Sequence, residues 1–507
     1  MTGARTGALA ALAAAALAAG CGCEDAAAPV PAGGAGAGGV GGGASSTPSP
    51  PPEVIHAGKQ GLLLRGVVLA PQGVLDPGEV LVVGQTIRCV AADCTKAEGA
   101  ASATWIDTHG VVSPGLIDSH NHVAYDFLPE WVPDPPRTFE NRYQWTEDPQ
   151  YEEHIRPYAA HKSENAYFCP GAKWGELRAL GSCIDWGIRN ADRYHGMGYD
   201  HMQQTIGSVR DIADAEAAKL IAGFDAPAEP FTRFAVHMAE GFAGDHVDEE
   251  FDSFAGRDPR PGYHQDLSLL YKGTAVLIHS IPLSEGQLQE ALATESKIVW
   301  SPSSNFALYG AGVTAPIRRI LQLGIVTGLG PDWTVSGQDE MLSEMRFALG
   351  YARDAGIGQV TPERLWRMAT ADGAVVVGLQ EYMGRLEPGE RADVAVFGRT
   401  GPDPYLALVE SRAADVRLVL LDGQGYFGDA GLPSLTRRNE HCEDFDACGT
   451  AKFICVQDSP DAEGRRNETL ADIHQQLYDI LEGVAGAPPE EQYGRGDELL
   501  ELVDCGI

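Results

Sequence analysis

Val111-Val112-Ser113-Pro114-Gly115-Leu116-Ile117-Asp118-Ser119-His120-Asn121-His122 is the stretch on which the fold turns. An apolar run of strand length passes through Pro-Gly and ends in two imidazoles two residues apart. In a strand, alternate side chains share a face, so His120 and His122 point the same way. Two imidazoles on one face suit Zn²⁺ or Fe²⁺. Taken alone, a His-x-His is at least as readily a satisfied or solvent-facing pair.

Upstream, Leu62 to Leu69 and Glu79 to Gly84 read as short strands separated by Pro, Gly and Asp. Downstream, apolar runs of strand length alternate with helical patterns. Phe234-Ala235-Val236, Ala275 to Ile278 and Ile325 to Leu329 are such runs, and Glu285 to Glu295 and Glu340 to Tyr351 read as helices. That alternation predicts parallel βα units, and the length of 114–383 suits a (β/α)8 TIM barrel. Strand patterns return at Ala392 to Phe397 and Val416 to Gly423. Strand-rich segments 57–113 and 384–430 therefore predict a discontinuous small β-sandwich built from both flanks of an α/β barrel. A polar, Cys-bearing extension, 431–507, is helical in part, from Thr469 to Glu482.

The first residues read as a targeting segment. Arg5 precedes an Ala/Leu run from Ala8 to Ala19 that is too short to span a bilayer. It ends in Leu17-Ala18-Ala19-Gly20-Cys21, which resembles a bacterial lipoprotein signal over 1–21, although Ala18 stands where Leu is usual. The other reading is an ordinary secretory signal cleaved nearby; both place the chain outside the cytoplasm, in the periplasm or at the cell surface. Residues 22–56 are mostly Gly, Ala, Pro and Ser, a composition that buries too little apolar surface to order itself and reads as a disordered linker.

The 507 residues exceed one compact core, and domain-size priors give roughly two to four units. A net charge of −34, from 71 acidic and 37 basic residues, disfavours nucleic acid and anionic membrane surfaces, because phosphate binding needs clustered Lys and Arg. Of ten cysteines, Cys21 falls at the lipidation site and Cys23 in the linker. The remaining eight predict disulfides in an exported chain: Cys89 with Cys94 and Cys169 with Cys183 locally, and three alternatives for Cys442, Cys448, Cys455 and Cys505.

Three further polar residues close apolar strands. His237 ends one and is followed by Glu240; His279 ends another; Asp332 ends a third. If these strands line one barrel, the side chains converge on its mouth. Imidazoles and a carboxylate there would hold a metal while leaving room for water.

The order His-x-His, His-x-x-Glu, His, Asp resembles the mononuclear branch of the amidohydrolase superfamily, and within it the triazine hydrolases and the guanine, cytosine and adenosyl-type deaminases. Pro114 to His120, Ser301 to Gly310 and Gly384 to Asp393 are similar to that family's first-strand, Ser-Asn and β-domain re-entry segments. The resemblance spans Leu62 to Gly428. It implies one divalent ion per subunit, Zn first and Fe second, on His120, His122, His237 and Asp332. It implies Asp332 as acceptor of the water proton, Glu240 as proton shuttle, and His279 as hydrogen-bonding partner of the substrate carbonyl or the water. The reaction implied is hydrolysis of a C–N bond in a small molecule, foremost deamination of an N-heterocycle. A cyclic amide, amidine or triazine hydrolase stands second, and a surface binding protein on the same scaffold third. Homo-oligomers are compatible with this class; membrane contact is expected only through the lipid anchor. Pro331 departs from the family's usual Thr. Lys219, in the helical pattern Ala213 to Ala222, is the alternative candidate for a bridging lysine of a two-metal site. The aromatic, Pro-rich segment 126–171 reads equally as a lid or a surface insertion.

Overall fold

The computed structural model describes residues 49–507 except 157–164, 182–183, 187–201, 207–213, 225–232, 259, 263–267, 269, 271–274, 339, 399–400, 433–441, 457–467, 484–493, 504 and 506–507. The lipoprotein signal, most of the linker, and the Cys169–Cys183 pair lie outside the described residues.

Among the described residues, seventeen strands run in chain order. They are β1 (Glu53–His56), β2 (Leu62–Ala70), β3 (Gly73–Val83), β4 (Thr86–Ala91), β5 (Thr104–Pro114), β6 (Leu116–Ile117), β7 (Ile184–Trp186), β8 (Met202–Ile206) and β9 (Arg233–Met238). Then come β10 (Ala275–His279), β11 (Lys297–Trp300), β12 (Thr327–Leu329), β13 (Val394–Phe397), β14 (Val416–Leu421), β15 (Gln424–Asp429), β16 (Cys442–Ala447) and β17 (Thr450–Cys455).

The discontinuous β-domain is one connected ten-stranded sheet, in the order β16-β17-β15-β14-β13-β5-β2-β3-β4, with β1 added on β5. Two departures from the sequence expectation follow. The linker stops short of residue 56, because Glu53–His56 pairs antiparallel with Trp105 to Asp107. The C-terminal extension is no separate appendage, because β17 pairs with β15 and prolongs the same sheet. Among the described residues, three disulfides are formed: Cys89–Cys94, Cys442–Cys455 and Cys448–Cys505. The second joins partners across β16 and β17, a register that sequence could not reveal. Beyond it, the C-terminal tail lies against the 126–171 segment. Leu500 N–H donates to Phe127 O at 3.1 Å and Arg495 Nη1 donates to His154 O at 2.6 Å; just past that segment, Trp174 Nε1–H donates to Leu500 O at 3.1 Å.

The α/β unit is built from parallel strands: β8 to β12 side by side in chain order, and β6 with β7. Strands β10, β11 and β12 are buried at every position, as parallel strands covered on both faces must be. The first and last strands of the set meet at a seam. Ser119 N–H donates to Leu329 O at 3.0 Å, Asp332 N–H to His120 O at 3.1 Å, and His122 N–H to Asp332 O at 2.6 Å. Close backbone approach there requires glycine: a Cβ on Gly330 would sit 2.7 Å from both the N and the O of His120. Among the described residues, no helix is long and apolar enough to cross a membrane.

Candidate metal centre and active site

His120 follows β6, His237 lies in β9, His279 ends β10, and Asp332 follows β12. All stand at the C-terminal ends of parallel strands, where such a sheet presents its chemistry. The turns that carry them are unusual. Ala239, His279, Ser280 and Asp332 all have left-handed backbones, with φ of 51°, 68°, 57° and 78°. Non-glycine residues rarely adopt that region, and where they do the surroundings must over-determine it. Here Ser280 N–H donates to Met238 O at 2.9 Å and Ile281 N–H to Ala239 O at 3.1 Å, tying the β9 and β10 exits together.

One donor atom each from His120, His237, His279 and Asp332 lies within 4.8 Å of the others, and all four residues are buried. His120 Nε2 and Asp332 Oδ1 are 2.8 Å apart, yet neither atom has a hydrogen-bond partner, and His279 Nε2 has none either. Buried polar atoms left without partners are costly. Several of them facing one point form a donor set suited to a cation, and three imidazoles with a carboxylate are what Zn²⁺ or Fe²⁺ accepts. His122 stands at the edge of this group. Its side chain is 33% exposed, with Nε2 3.3 Å from Asp332 Oδ1, and its ring stacks on His237 at 5.5 Å. The donor cluster thus contains three of the four expected ligands together with His279, and His122 borders it from the solvent side.

Protonation suits this arrangement. Burial pulls the His120 imidazole down to about 4 and pushes His237 well below its ordinary value, so both offer lone pairs at neutral pH. Burial acts to raise the Asp332 carboxyl, but the facing His120 and His122 outweigh it and hold Asp332 well below the usual carboxylate range.

A shell of hydrogen bonds with fixed polarity orients these groups. Trp333 Nε1–H donates to Ser336 Oγ at 2.6 Å, Ser336 and Ser304 hydroxyls are 2.8 Å apart, and Ser304 Oγ donates to Asp332 Oδ2 at 2.7 Å. On the other side, Trp300 Nε1–H and Asn305 Nδ2 both donate to Thr314 Oγ1, at 2.9 and 3.1 Å. That leaves Asn305 Oδ1 as the acceptor facing His279 Nδ1 at 3.0 Å. The proton of a neutral His279 therefore sits on Nδ1, and Nε2 turns its lone pair to the centre.

Glu240 is 2% exposed. Its Oε1 accepts from Tyr309 OH at 2.6 Å; its Oε2 faces His279 Nε2 at 3.6 Å and Arg142 Nη1 at 3.4 Å. Arg142 comes from the 126–171 segment. This segment is docked on the site: Arg142 N–H donates to Glu240 O at 3.0 Å, and Phe242 N–H to Glu140 O at 2.7 Å. Gly241 packs so closely that a Cβ would lie 2.4 Å from Asn141 Cα. Glu250 accepts the Ala239 N–H at 2.7 Å and the Tyr143 hydroxyl. Trp131, Trp145 and Tyr151 are buried, so of the two readings of this segment its described part fits the covering one. Lys219 is exposed on the helix Asp214–Phe224, whereas the donor cluster is buried at the strand ends.

Sequence reasoning missed Arg142, Trp145, Ser304, Thr314 and Tyr309 as individuals. Ser304, Asn305 and Tyr309 lay inside the recognised Ser301–Gly310 segment, which was the only signal for them. For Trp145 the signal was the aromatic richness of the 126–171 segment, which did not reveal its partner Tyr309, 164 residues away; Arg142 carried none, its partner Glu240 lying far along the chain.

A strand-end histidine and carboxylate cluster in a parallel α/β unit with a discontinuous β-domain defines a metal-dependent hydrolase. The chain is a hydrolase of carbon–nitrogen bonds, and the Amidohydrolase family profile matches its residues 232–424. It is similar to the 5-methylthioadenosine/S-adenosylhomocysteine deaminase of Pelotomaculum thermopropionicum, at 27% identity over 72% of this chain and 92% of the relative. The same-named protein of Desulforamulus reducens is 25% identical over the same shares. Among solved structures, the fold resembles a zinc-bound adenosine deaminase from Xanthomonas campestris (TM-score 0.53, 17% identity, 74% of this chain and 94% of that one). It also resembles a triazine hydrolase variant (TM-score 0.54, 18% identity, 73% and 95%) and E. coli guanine deaminase (TM-score 0.52, 14% identity, 72% and 98%).

Proposed function

We propose that this chain deaminates an amino-substituted N-heterocycle of the purine type, using one Zn²⁺ held by His120, His122, His237 and Asp332. The single observation that carries the reading is the buried convergence of unpartnered donor atoms at His120, His279 and Asp332 beside Glu240. The names of the two relatives, similar over 92% of their length, support the purine class. When bound, a divalent ion supplies an acidified water near neutral pH. Asp332, held ionised by its imidazole neighbours, accepts the proton that the attacking water loses. Glu240 gives its proton to the ring nitrogen beside the attacked carbon, takes up the proton that the hydroxyl of the tetrahedral carbon loses and passes it to the leaving amine; the proton held by Asp332 then returns to Glu240, so that water and substrate yield a carbonyl and ammonia and both carboxyls are restored. His279, with Nδ1 committed to Asn305, turns Nε2 to the water as acceptor. The segment carrying Arg142 and Trp145 covers Glu240 and excludes solvent from the proton transfers.

The test is direct. Purified soluble protein is assayed for metal by elemental analysis and screened with 5′-methylthioadenosine, S-adenosylhomocysteine, free aminopurines and pterins for ammonia release. The expected result is near-stoichiometric metal and turnover that Glu240→Gln abolishes. Absence of tightly bound metal after purification without chelators sinks the reading.

The N-terminal sequence further supports export as a lipoprotein modified at Cys21. Fatty-acid labelling that disappears in Cys21→Ser is the expected result; labelling that persists rules the assignment out.

A further inference from the structure

Tyr309 OH lies between two partners. Trp145 Nε1 approaches it at 2.9 Å, and Glu240 Oε1 lies 2.6 Å from it. All three side chains are buried. An indole N–H donates and never accepts, so the Tyr309 oxygen must receive that hydrogen. Its own O–H is then free to point only at Glu240. Burial and the Glu240 charge push the Tyr309 hydroxyl well above its ordinary range, which keeps its hydrogen in place. The direction of the chain from Trp145 through Tyr309 to Glu240 is therefore fixed, and Oε1 is an acceptor whatever the state of the carboxyl. The other oxygen, Oε2, faces the centre, with His279 Nε2 at 3.6 Å and Arg142 Nη1 at 3.4 Å.

We propose that Tyr309, polarised by Trp145, is a positioning residue that orients Glu240 so that Oε2 alone exchanges the catalytic proton. The inference rests on the deaminase reading for its kinetics but not for its geometry. It also gives the 126–171 segment a part in the chemistry, since Trp145 comes from that segment and Tyr309 from the helix Pro302–Tyr309. Covering the site and setting Glu240 become one event. An unoriented carboxylate would offer either oxygen and lose the alignment on which proton transfer depends.

Tyr309→Phe removes the hydroxyl and little else. Expected are a kcat lower by about tenfold to a hundredfold, the range for losing a hydrogen bond to a charged group, a KM within about threefold, and unchanged metal content and melting temperature. Trp145→Phe lets the Tyr309 hydroxyl turn, so kcat falls less than in Tyr309→Phe. High-resolution structures of the wild type and Tyr309→Phe give a readout independent of turnover: the Glu240 carboxylate should leave its position in the variant. An unmoved Glu240, or a loss confined to KM, overturns the proposal. Should the wild type release no ammonia from any heterocycle, the deaminase reading fails, and the Glu240 position still decides this one.

Discussion

Ser304 Oγ donates to Asp332 Oδ2 at 2.7 Å and so leaves Oδ1 as the oxygen turned to His120 Nε2, 2.8 Å away. One hydroxyl thereby decides which carboxylate atom faces the metal centre. Outer-shell partners of ligating groups typically contribute about 10- to 100-fold in metal affinity or activity. Ser304→Ala is expected to lose that much in one or the other, measured as metal retained after dialysis and as kcat at saturating zinc. Unchanged values in both assays would remove Ser304 from the centre.

His237→Ala takes a buried donor out of the cluster while leaving the strand intact. Bound metal should fall well below the wild-type content, because a four-donor site loses one of its ligands. Chelator treatment of the wild type should abolish turnover, and Zn²⁺ or Fe²⁺ should restore it. Turnover that survives complete removal of metal would contradict the assignment.

Glu344, buried and within reach of the Asp332 charge, offers a pH test. Its carboxyl accepts the Ser303 N–H at 3.2 Å, and burial pushes it up to about 8. An unfolded Glu titrates near about 4.3. The folded chain thus holds this proton more tightly than the unfolded one. The stability it contributes is complete below about pH 4 and is lost as pH rises toward about 8. The melting temperature of the wild type relative to Glu344→Gln should fall between about pH 5 and pH 8. A difference independent of pH refutes the assignment.

The Cys448–Cys505 bridge closes a loop of 57 residues, which the chain-entropy account values at about 4 kcal/mol. The tail it anchors meets Phe127 and His154. Cys505→Ser should expose the tail to proteases and raise amide exchange across the described part of the 126–171 segment. Equal exchange in both forms would show that the tail does not brace that segment.

Much of this was legible in the chain. Six residues at strand ends, His120, His122, His237, Glu240, His279 and Asp332, could be read because apolar runs of strand length announce where parallel strands stop, and all six meet in space. Their exact standing could not: that His279 Nε2 joins the donor group while His122 lies half-exposed depends on the left-handed turn at His279 and the bond to Asn305. Strand β1 was hidden because its four residues are all exposed and belong to the sheet only by pairing with β5. Likewise the pairing of Cys442, Cys448, Cys455 and Cys505 follows from the register of β16 and β17, a tertiary fact with no local trace.

The seam between β6 and β12 joins parts of the chain more than two hundred residues apart, and it carries His120 on one side and Asp332 on the other. A chain with its first strand in place but its last still unfolded owns half a binding site. Since an ion held only by the complete set binds the folded state and not the unfolded one, uptake of metal is a gauge of assembly: a chain lacking either side of the seam is expected to hold no metal tightly, and the appearance of tight metal binding marks the moment at which the β6 and β12 ends of the parallel unit come together.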